Sequence, residues 1–353
     1  MIPSFSIIII NFNYAAYLGV AIESALGQSL PASEVIVVDD CSTDDSRALI
    51  ADYKGRVVAC LHAVNGGMSA CANTGFSASN GDIVLFLDAD DFLYPHALES
   101  IAVAWRPGVV QTQARLDLVD ADGRVEDVFP PLEVPFCSGD VRSLLANCGR
   151  YQTTVTTGLA FSRDALSHVM PIPEADFSRS ADGYLATIVP LYGEVVSIER
   201  PVGAYRRHTK NHSSFSANIA TRSRWRIDHD EKRYAALRVH GPRNGVAIAV
   251  TPGLNDPVHL EERLASLCFD PARHPYPDDS RGALGRYGVR AVLATGPVSA
   301  AGGKRRAAQA IIFLVASNAP PVFARTLLGW KMERASRPRW VDQFSGWLRR
   351  RLK

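Results

Sequence analysis

Two acidic clusters each follow a short apolar run: Asp39-Asp40 after Glu34-Val-Ile-Val-Val38, and Asp88-Ala-Asp90-Asp91 after Ile83-Val-Leu-Phe-Leu87. Asp88-x-Asp90 puts two carboxylates on a short turn, close enough to share one hard divalent cation. Mg²⁺ or Mn²⁺ takes such oxygens and then the oxygens of a substrate phosphate. A diphosphate is the natural third party. No G-x-x-x-x-G-K-[ST] precedes a helix and no G-x-G-x-x-G follows the first apolar run, so neither a phosphate loop nor a dinucleotide fingerprint is present, and metal would hold the phosphates. Phe12 and Asp40 suit a nucleobase, the ring by stacking and the carboxylate by accepting an imide N–H. For Phe12 the competing reading is plain core, and for Asp39-Asp40 an Asx turn that ends a strand.

These side chains need a scaffold that brings several chain segments to one edge. Phe5-Ser-Ile-Ile-Ile-Ile10 is too densely apolar for a one-sided strand and reads as buried on both faces, ending near Asn11. A helical pattern over Tyr17 to Leu26 and the strand Glu34 to Val38 make the unit βαβ. Ser46 to Ala51 reads as helix, Val57 to Leu61 as extended, Met68 to Ser77 as helix and Ile83 to Leu87 as another buried strand. Alternation of this kind predicts an α/β fold, a doubly wound, mostly parallel sheet flanked by helices, with ligands at the carboxyl ends of the strands. Both acidic clusters fall at such ends.

The chain has 353 residues, 47% apolar and 21% charged, with 26 Gly and 21 Pro, which excludes disorder, collagen and coiled coil. Six cysteines form no C-x-x-C and no zinc spacing, so a reducing compartment is expected. Met1-Ile-Pro-Ser4 leads into the first apolar run without a basic segment or cleavage site; the expected location is the cytoplasm. The net charge of +2 conceals an asymmetry: residues 304–353 hold 12 Lys and Arg against Glu333 and Asp342, a net of +10, and the other 303 residues a net of −8.

Four segments, in this order, resemble the motifs of family 2 glycosyltransferases with the GT-A fold: Ser6-Ile-Ile-Ile-Ile-Asn-Phe-Asn13, Val38-Asp-Asp-Cys-Ser-Thr-Asp44, Asn65-Gly-Gly-Met-Ser-Ala-Cys-Ala-Asn73 and Gly81-Asp-Ile-Val-Leu-Phe-Leu-Asp-Ala-Asp-Asp91. A fifth, Tyr205-Arg-Arg-His208 with Asn211 and Ser213, extends the resemblance to about residue 215. The resemblance implies inverting transfer of a sugar from a nucleotide-sugar donor, a UDP-sugar being favoured, with Mn²⁺ or Mg²⁺ on the diphosphate. By resemblance the donor contacts are Asn11, Phe12, Asn13, Asp40, Gly67, Asn73 and Asp88, and the metal ligands Asp88, Asp90 and, by analogy with a late histidine in some such enzymes, His208. Where the family motif usually has Ala-Arg-Asn this chain has Cys71-Ala72-Asn73. The positive charge near the diphosphate is then expected from the metal, Arg206 or Arg207.

Inversion by direct displacement needs a base for the acceptor hydroxyl. The family places a carboxylate at the start of a helix, which Ser180-Ala-Asp182-Gly-Tyr-Leu matches, making Asp182 the expected base with Glu174 and Asp176 as reserves. Asp182 also fits a mere N-cap. The expected division is 1–120 as the nucleotide-sugar half, 121–240 as the acceptor half and 241–353 as a helical C-terminal extension.

In that extension Gly245 to Val250 suggests a strand, Val258 to Leu267 a helix and His274 to Gly288 a loop. Ala307 to Ala324 has 18 uncharged residues, too few and too broken by Pro320-Pro321 for a confident span. With Trp330, Trp340 and Trp347 among basic residues, the segment after Lys304 fits docking on an anionic membrane at the inner face of the plasma membrane; a packed helical domain and true insertion are the alternatives. The implied acceptor is a glycan or lipid-linked glycan. A catalytically dead sugar-nucleotide binder would lack the metal or base carboxylates. A nucleic-acid role is suggested only by the basic tail, which holds no binding motif, so no nucleic-acid partner is expected.

Overall fold

The structure, a computed structural model, describes residues 2–208, 218–294 and 303–333, with only the backbone of Lys304. Asn211, Ser213, Trp340, Trp347 and the basic run around them lie outside the described residues. The chain divides into two units, 1–214 with 232–250, and 215–231 with 251–353. The expected halves 1–120 and 121–240 fall in the first unit except for residues 215–231, which belong to the second.

That unit contains, in chain order, β1 (Phe5–Asn11), α1 (Ala15–Leu26), β2 (Glu34–Asp39), α2 (Ser46–Asp52), β3 (Val58–Leu61), α3 (Gly67–Ala78), β4 (Ile83–Asp88), β5 (Phe92–Leu93), α4 (Ala97–Ala104), β6 (Val109–Ala114), β7 (Leu116–Val119) and β8 (Val125–Phe129). It continues with α5 (Arg142–Cys148), β9 (Leu159–Ser162), α6 (Arg163–Val169), α7 (Glu174–Phe177), α8 (Ala181–Ile188), β10 (Glu194–Ile198) and β11 (Gly203–Arg206). The main sheet runs β10-β6-β9-β4-β1-β2-β3. Its pairs are parallel except where β9 lies antiparallel to β4 and β6. A smaller mixed sheet runs β5-β11-β7-β8.

The apolar run of β1 is dense because both faces are covered. Ile8 and Ile10 join Ile36, Val38, Val84 and Phe86 in one core. Ile7 and Ile9 join Val35, Val37, Leu85 and Leu87 in another. The period-2 alternation of a strand sends successive residues to opposite layers of helices. In parallel register Asn11 faces Asp39 and Ile10 faces Asp88, so the carboxyl ends of β1, β2 and β4 form one edge.

α9 (Ile219–His240) contributes residues 219–231 to the second unit and 232–240 to the first. The second unit also holds α10 (Pro257–Phe269), α11 (Arg281–Ala294), α12 (Gly303–Asn318) and α13 (Pro321–Met332). Leu260, Leu264, Leu284, Val292, Phe313, Ala324 and Leu328 form its core. A Cβ at Gly288 would lie 2.2 Å from the Phe313 ring, so the glycine lets α11 and α12 approach closely. Several polar groups of this unit are paired: Ser223 donates to Glu262 at 2.6 Å, Arg226 meets the same carboxylate at 2.5 Å, and His259 lies 3.2 Å from Asp230.

Two expectations are corrected here, and a third, that 307–324 is not a spanning helix, is met. Residues 245–250 form no strand; Gly245, at φ 69°, ends a 3₁₀ turn, and the following backbone is irregular. The expected loop over His274 to Gly288 stops early, because α11 begins at Arg281 and its apolar residues Leu284, Ala291 and Val292 are buried. The uncharged stretch 307–324 is two helices, and among the described residues no helix is long and apolar enough to cross a membrane.

Candidate active site

At the end of β4 the chain gathers carboxylates from separate segments. Asp88 ends the strand, and Asp90 and Asp91 follow on the turn, 7% and 1% exposed. Asp182, from α8, lies close enough to Asp88 to push its carboxyl up. Burial is the largest cause of that shift, followed by the charges of Asp90 and Asp182. Asp91 is likewise raised well above the usual carboxylate range by burial and by Asp90 and Asp88. The Thr156 hydroxyl sits near both Asp88 and Asp182, lowering each carboxyl, and shares a cavity wall with Asp182. Its neighbour Thr157 donates to Asp91 at 2.6 Å. This 3₁₀ turn, Thr156–Gly158, ties the two carboxylate-bearing segments together.

Asp182 is not the N-cap of its helix. Ser180 occupies the cap and Asp182 is the second helical residue, its Oδ1 accepting from Gly183 N at 2.8 Å and from Ser180 Oγ at 3.2 Å. Burial raises its carboxyl despite the Gly183, Ser180 and Thr156 hydrogen bonds, which lower it. The cause is visible in the small cavity behind it, lined by Ile10, Phe86, Leu159, Phe161 and Leu185: an apolar wall disfavours the ionised form. A carboxylate held this way is a stronger proton acceptor than an exposed one.

His208 Nε2 lies 3.0 Å from Asp90 Oδ2, with the rings of Tyr14 and Tyr17 packed at 5.6 and 4.9 Å from its own. Tyr14, raised by burial and by Asp90, Asp88 and Asp91, keeps its proton. Arg206 is buried with its guanidinium over Tyr17; it donates from Nε to the Asp90 carbonyl at 2.8 Å, and its backbone N–H donates to Asp91 at 2.9 Å. Arg207 points elsewhere and pairs with Glu126. His208 meets Asp90, but the ligand atoms of Asp88, Asp90 and His208 are not all within 4.8 Å of one another in this structure; the excess of carboxylates that raises Asp88 and Asp91 is one that a hard divalent cation would relieve.

The end of β2 is built the opposite way. Asp39, fully buried, accepts from Asn11 Nδ2 at 2.8 Å, Ser42 N at 3.0 Å and Arg47 Nε at 2.8 Å. Burial alone would raise its carboxyl, yet Ser42, Arg47 and Asn11 together hold it below the usual range. Asp40 accepts from Gly66 N at 2.8 Å and Gly67 N at 2.7 Å, and His62 Nδ1 lies 3.0 Å from it. A pure Asx turn is thereby set aside, since Asp40 reaches across to a different loop. Among the described residues, the trio of potential ligand atoms all within 4.8 Å of one another is Asp40, His62 and Cys71. It fits a hydrogen-bond network better than a metal: burial and Asp40 keep Cys71 a thiol, and the other His62 nitrogen is 2.9 Å from Thr74.

Several expected donor contacts have other work. Asn11 is fully buried and bonds Asp39 and Ser42, so its side chain positions the β2 turn instead of meeting a ligand. Asn13, at φ 58°, accepts from Thr43 N at 2.7 Å and lashes the turn after β1 to the turn after β2. Asn73 bonds both main-chain groups of Ile172 and also Glu174, which takes both residues out of their expected roles as donor contact and reserve base. Gly67, at φ 84°, gives its N–H to Asp40 and leaves room for the Ser178 carbonyl, which a Cβ would meet at 2.4 Å. Phe12 is partly exposed and belongs to neither core of this unit, as a stacking platform requires. Thr156, Thr157, Tyr14 and Tyr17 were not singled out in the sequence; a Thr-Thr-Gly turn and an i, i+3 tyrosine pair have no spacing that distinguishes them from ordinary loop and helix residues.

A mostly parallel sheet flanked by helices, with acidic residues at its carboxyl edge, defines a GT-A-type architecture. TarS of Staphylococcus aureus, residues 1–349 in complex with UDP-GlcNAc, shares it with a TM-score of 0.52 at 15% identity, over 93% of this chain and 92% of that one. The mannosyltransferase PcManGT from Pyrobaculum calidifontis, in complex with GDP-Man and Mn²⁺, does so with a TM-score of 0.50 at 19% identity, over 91% and 87%. In sequence, residues 6–124 match the model of glycosyl transferase family 2. The chain is 33% identical over 221 residues to the glycosyltransferase alr2836 of Nostoc sp. (strain PCC 7120), covering 61% of this chain and 68% of that relative. TarS itself, named as a poly(ribitol-phosphate) beta-N-acetylglucosaminyltransferase, is 32% identical over 103 residues, 28% of this chain and 18% of TarS. The chain belongs to family 2 of the glycosyltransferases and is a transferase enzyme.

Proposed function

We propose that this glycosyltransferase moves a sugar, with inversion, from a UDP-sugar to a hydroxyl of a glycan or lipid-linked glycan, with Asp182 as the general base. The observation that carries the reading is the closeness of Asp182 to Asp88, near enough for its charge to raise the Asp88 carboxyl, which puts a candidate base beside the residue expected to face the diphosphate. In the step, the acceptor oxygen forms a bond to the anomeric carbon as the bond from that carbon to the diphosphate oxygen breaks; the hydroxyl proton passes to Asp182, and nucleoside diphosphate leaves. A divalent cation, Mn²⁺ or Mg²⁺, held by Asp88, Asp90 and His208, would stabilise the charge developing on the departing diphosphate. It also supplies the positive charge missing at Ala72, since Arg206 and Arg207 are engaged with Asp90 and Glu126.

Phe12 stacks on the uracil and Asp40 accepts its imide N–H. Asp40 already has Gly66, Gly67 and His62 around it, and His62, with Thr74 as an alternative partner, is the one that yields. TarS binding UDP-GlcNAc and PcManGT binding GDP-Man support a nucleotide-sugar donor, and the polymer in the name of TarS supports a glycan-type acceptor. Thermal-shift titration with UDP, dTDP and GDP in Mn²⁺ tests the base. UDP should bind most tightly, and Asp40→Asn should weaken it by about 1.5–3 kcal/mol, the worth of a hydrogen bond to a charged group. Tighter binding of GDP than UDP would overturn the uracil assignment.

A further inference from the structure

The second unit shows an apolar face that its core does not use. α12 and α13 bury Ala310, Phe313, Ala316, Ala324 and Leu328 against the rest of that unit. On the other side, Ile311, Leu314 and Val315 are 57%, 50% and 45% exposed, and Val322 and Phe323, on the first turn of α13, are 72% and 68% exposed. Residues i, i+3 and i+4 lie on one helical face, and Ala307 and Ala308, one turn earlier, are also exposed. Large exposed apolar clusters mark a binding surface. Two facts specify what binds. From Lys304 to Met332 the chain has no Asp or Glu, while Lys304, Arg305 and Arg306 open α12, and the last 50 residues carry a net +10. The helices, 16 and 12 residues long and parted by Ala319-Pro320, are too short to span a bilayer.

We infer that α12 and α13 form a docking surface for an anionic lipid membrane, lying in the plane of the headgroups with Ile311, Leu314, Val315, Val322 and Phe323 in the acyl boundary. An apolar face bordered by cations and free of carboxylates complements a leaflet that is apolar below and negative above. Nucleic acid offers the negative charge but nothing for five exposed aliphatic and aromatic side chains. This inference goes beyond the sugar-transfer reading and does not depend on it: the surface would bring the enzyme to membrane-borne acceptors, and the donor site can fail its own test without affecting it.

The test is co-sedimentation of the full chain with phosphatidylcholine vesicles, with and without phosphatidylglycerol. Binding is expected only with the anionic lipid, and high salt should release much of it. Ile311→Ser with Leu314→Ser should lower the partition coefficient at least about tenfold, from the lost transfer free energy of two aliphatic side chains, at unchanged melting temperature. Arg305→Glu with Arg306→Glu should lower it as well, and decides the matter if the serine variant melts early. Wild-type binding by both variants would assign the attraction to the tail alone and overturn the inference. So would self-association of the wild-type chain that the serine variant abolishes without any vesicle binding, since a second copy would then cover this face.

Discussion

β2 and β4 flank β1 on either side and both deliver aspartates to the same edge, yet their surroundings are inverted. At the end of β2, Asp39 and Asp40 meet a ring of donors: Asn11, Ser42, Arg47, Gly66 and Gly67. At the end of β4, Asp88, Asp90 and Asp91 meet one another and Asp182, with two threonine hydroxyls, the Arg206 backbone N–H and His208 as their polar company. In the first, donors neutralise Asp39 within the fold and orient Asp40 beside it. The second concentrates carboxylates among few donors, an arrangement that a bound cation would relieve. Identical residue types at equivalent strand ends can thus be held in opposite ways, neutralised by donors in one case and crowded together in the other.

Exchanging a carboxylate at each end breaks the comparison. The largest effect on transfer is expected from Asp90→Ala, which removes a metal ligand worth several kcal/mol of charge stabilisation, or about three powers of ten or more in rate. Its melting temperature should not fall, because a crowded negative charge has gone, and Mn²⁺ should stabilise the wild type but not the variant. Undiminished transfer by Asp90→Ala in EDTA would falsify the cation site.

Next comes Asp182→Asn, expected to lower turnover by about two to four powers of ten with donor affinity unchanged. Because Ser180 caps the helix, stability should stay near wild type; a variant that transfers at the wild-type rate would hand the role to Asp176.

The smallest effect on transfer is expected from Asp39→Asn, measured well below the melting temperature. Urea denaturation should instead show a loss of about 1.5–3 kcal/mol, the range for a hydrogen-bonded buried charge. The folded-state pKa of Asp39 is depressed, so its contribution is complete above the unfolded value and disappears as pH falls through the folded one. The stability gap between wild type and variant should therefore close on acidification; a gap that persists or widens would show that Asp39 acts through shape and not charge.

How much of this could be read in the chain follows from range. β1, β2 and β4 are legible because burial on both faces leaves unbroken runs of Ile, Val and Leu, and the carboxylates appear directly after them. Asp182 was recognisable by resemblance alone, and its raised carboxyl depends on Ile10, Phe86, Leu159 and Phe161, which lie up to about 170 positions away in sequence. For Asn11, Asn13 and Asn73 the reason is related: in sequence an amide beside a motif looks the same whether it faces a ligand or bonds a neighbouring loop, as these three do. α11 was missed because Gly282, Gly285 and Gly288 resemble a loop, although at least Gly288 serves the approach of Phe313.

The seat of the acceptor segment on α3 has a consequence for how such enzymes diverge. Met68 N donates to the Ser178 carbonyl at 2.7 Å, and Ser69 Oγ donates to the Phe177 carbonyl at 2.6 Å. These two contacts rest on main-chain oxygens, which every amino acid supplies, while Asn73 adds bonds to the Ile172 main chain and the Glu174 side chain. Positions 173–176 and 179 are exposed around these contacts and are free to vary without moving Asp182 from Asp88. The invariance is required of the other partner, where any side chain at Gly67 would strike Ser178. Selection for a new acceptor can therefore change the exposed positions of the 173–179 segment around the buried Phe177, while the donor side tolerates almost nothing at one glycine.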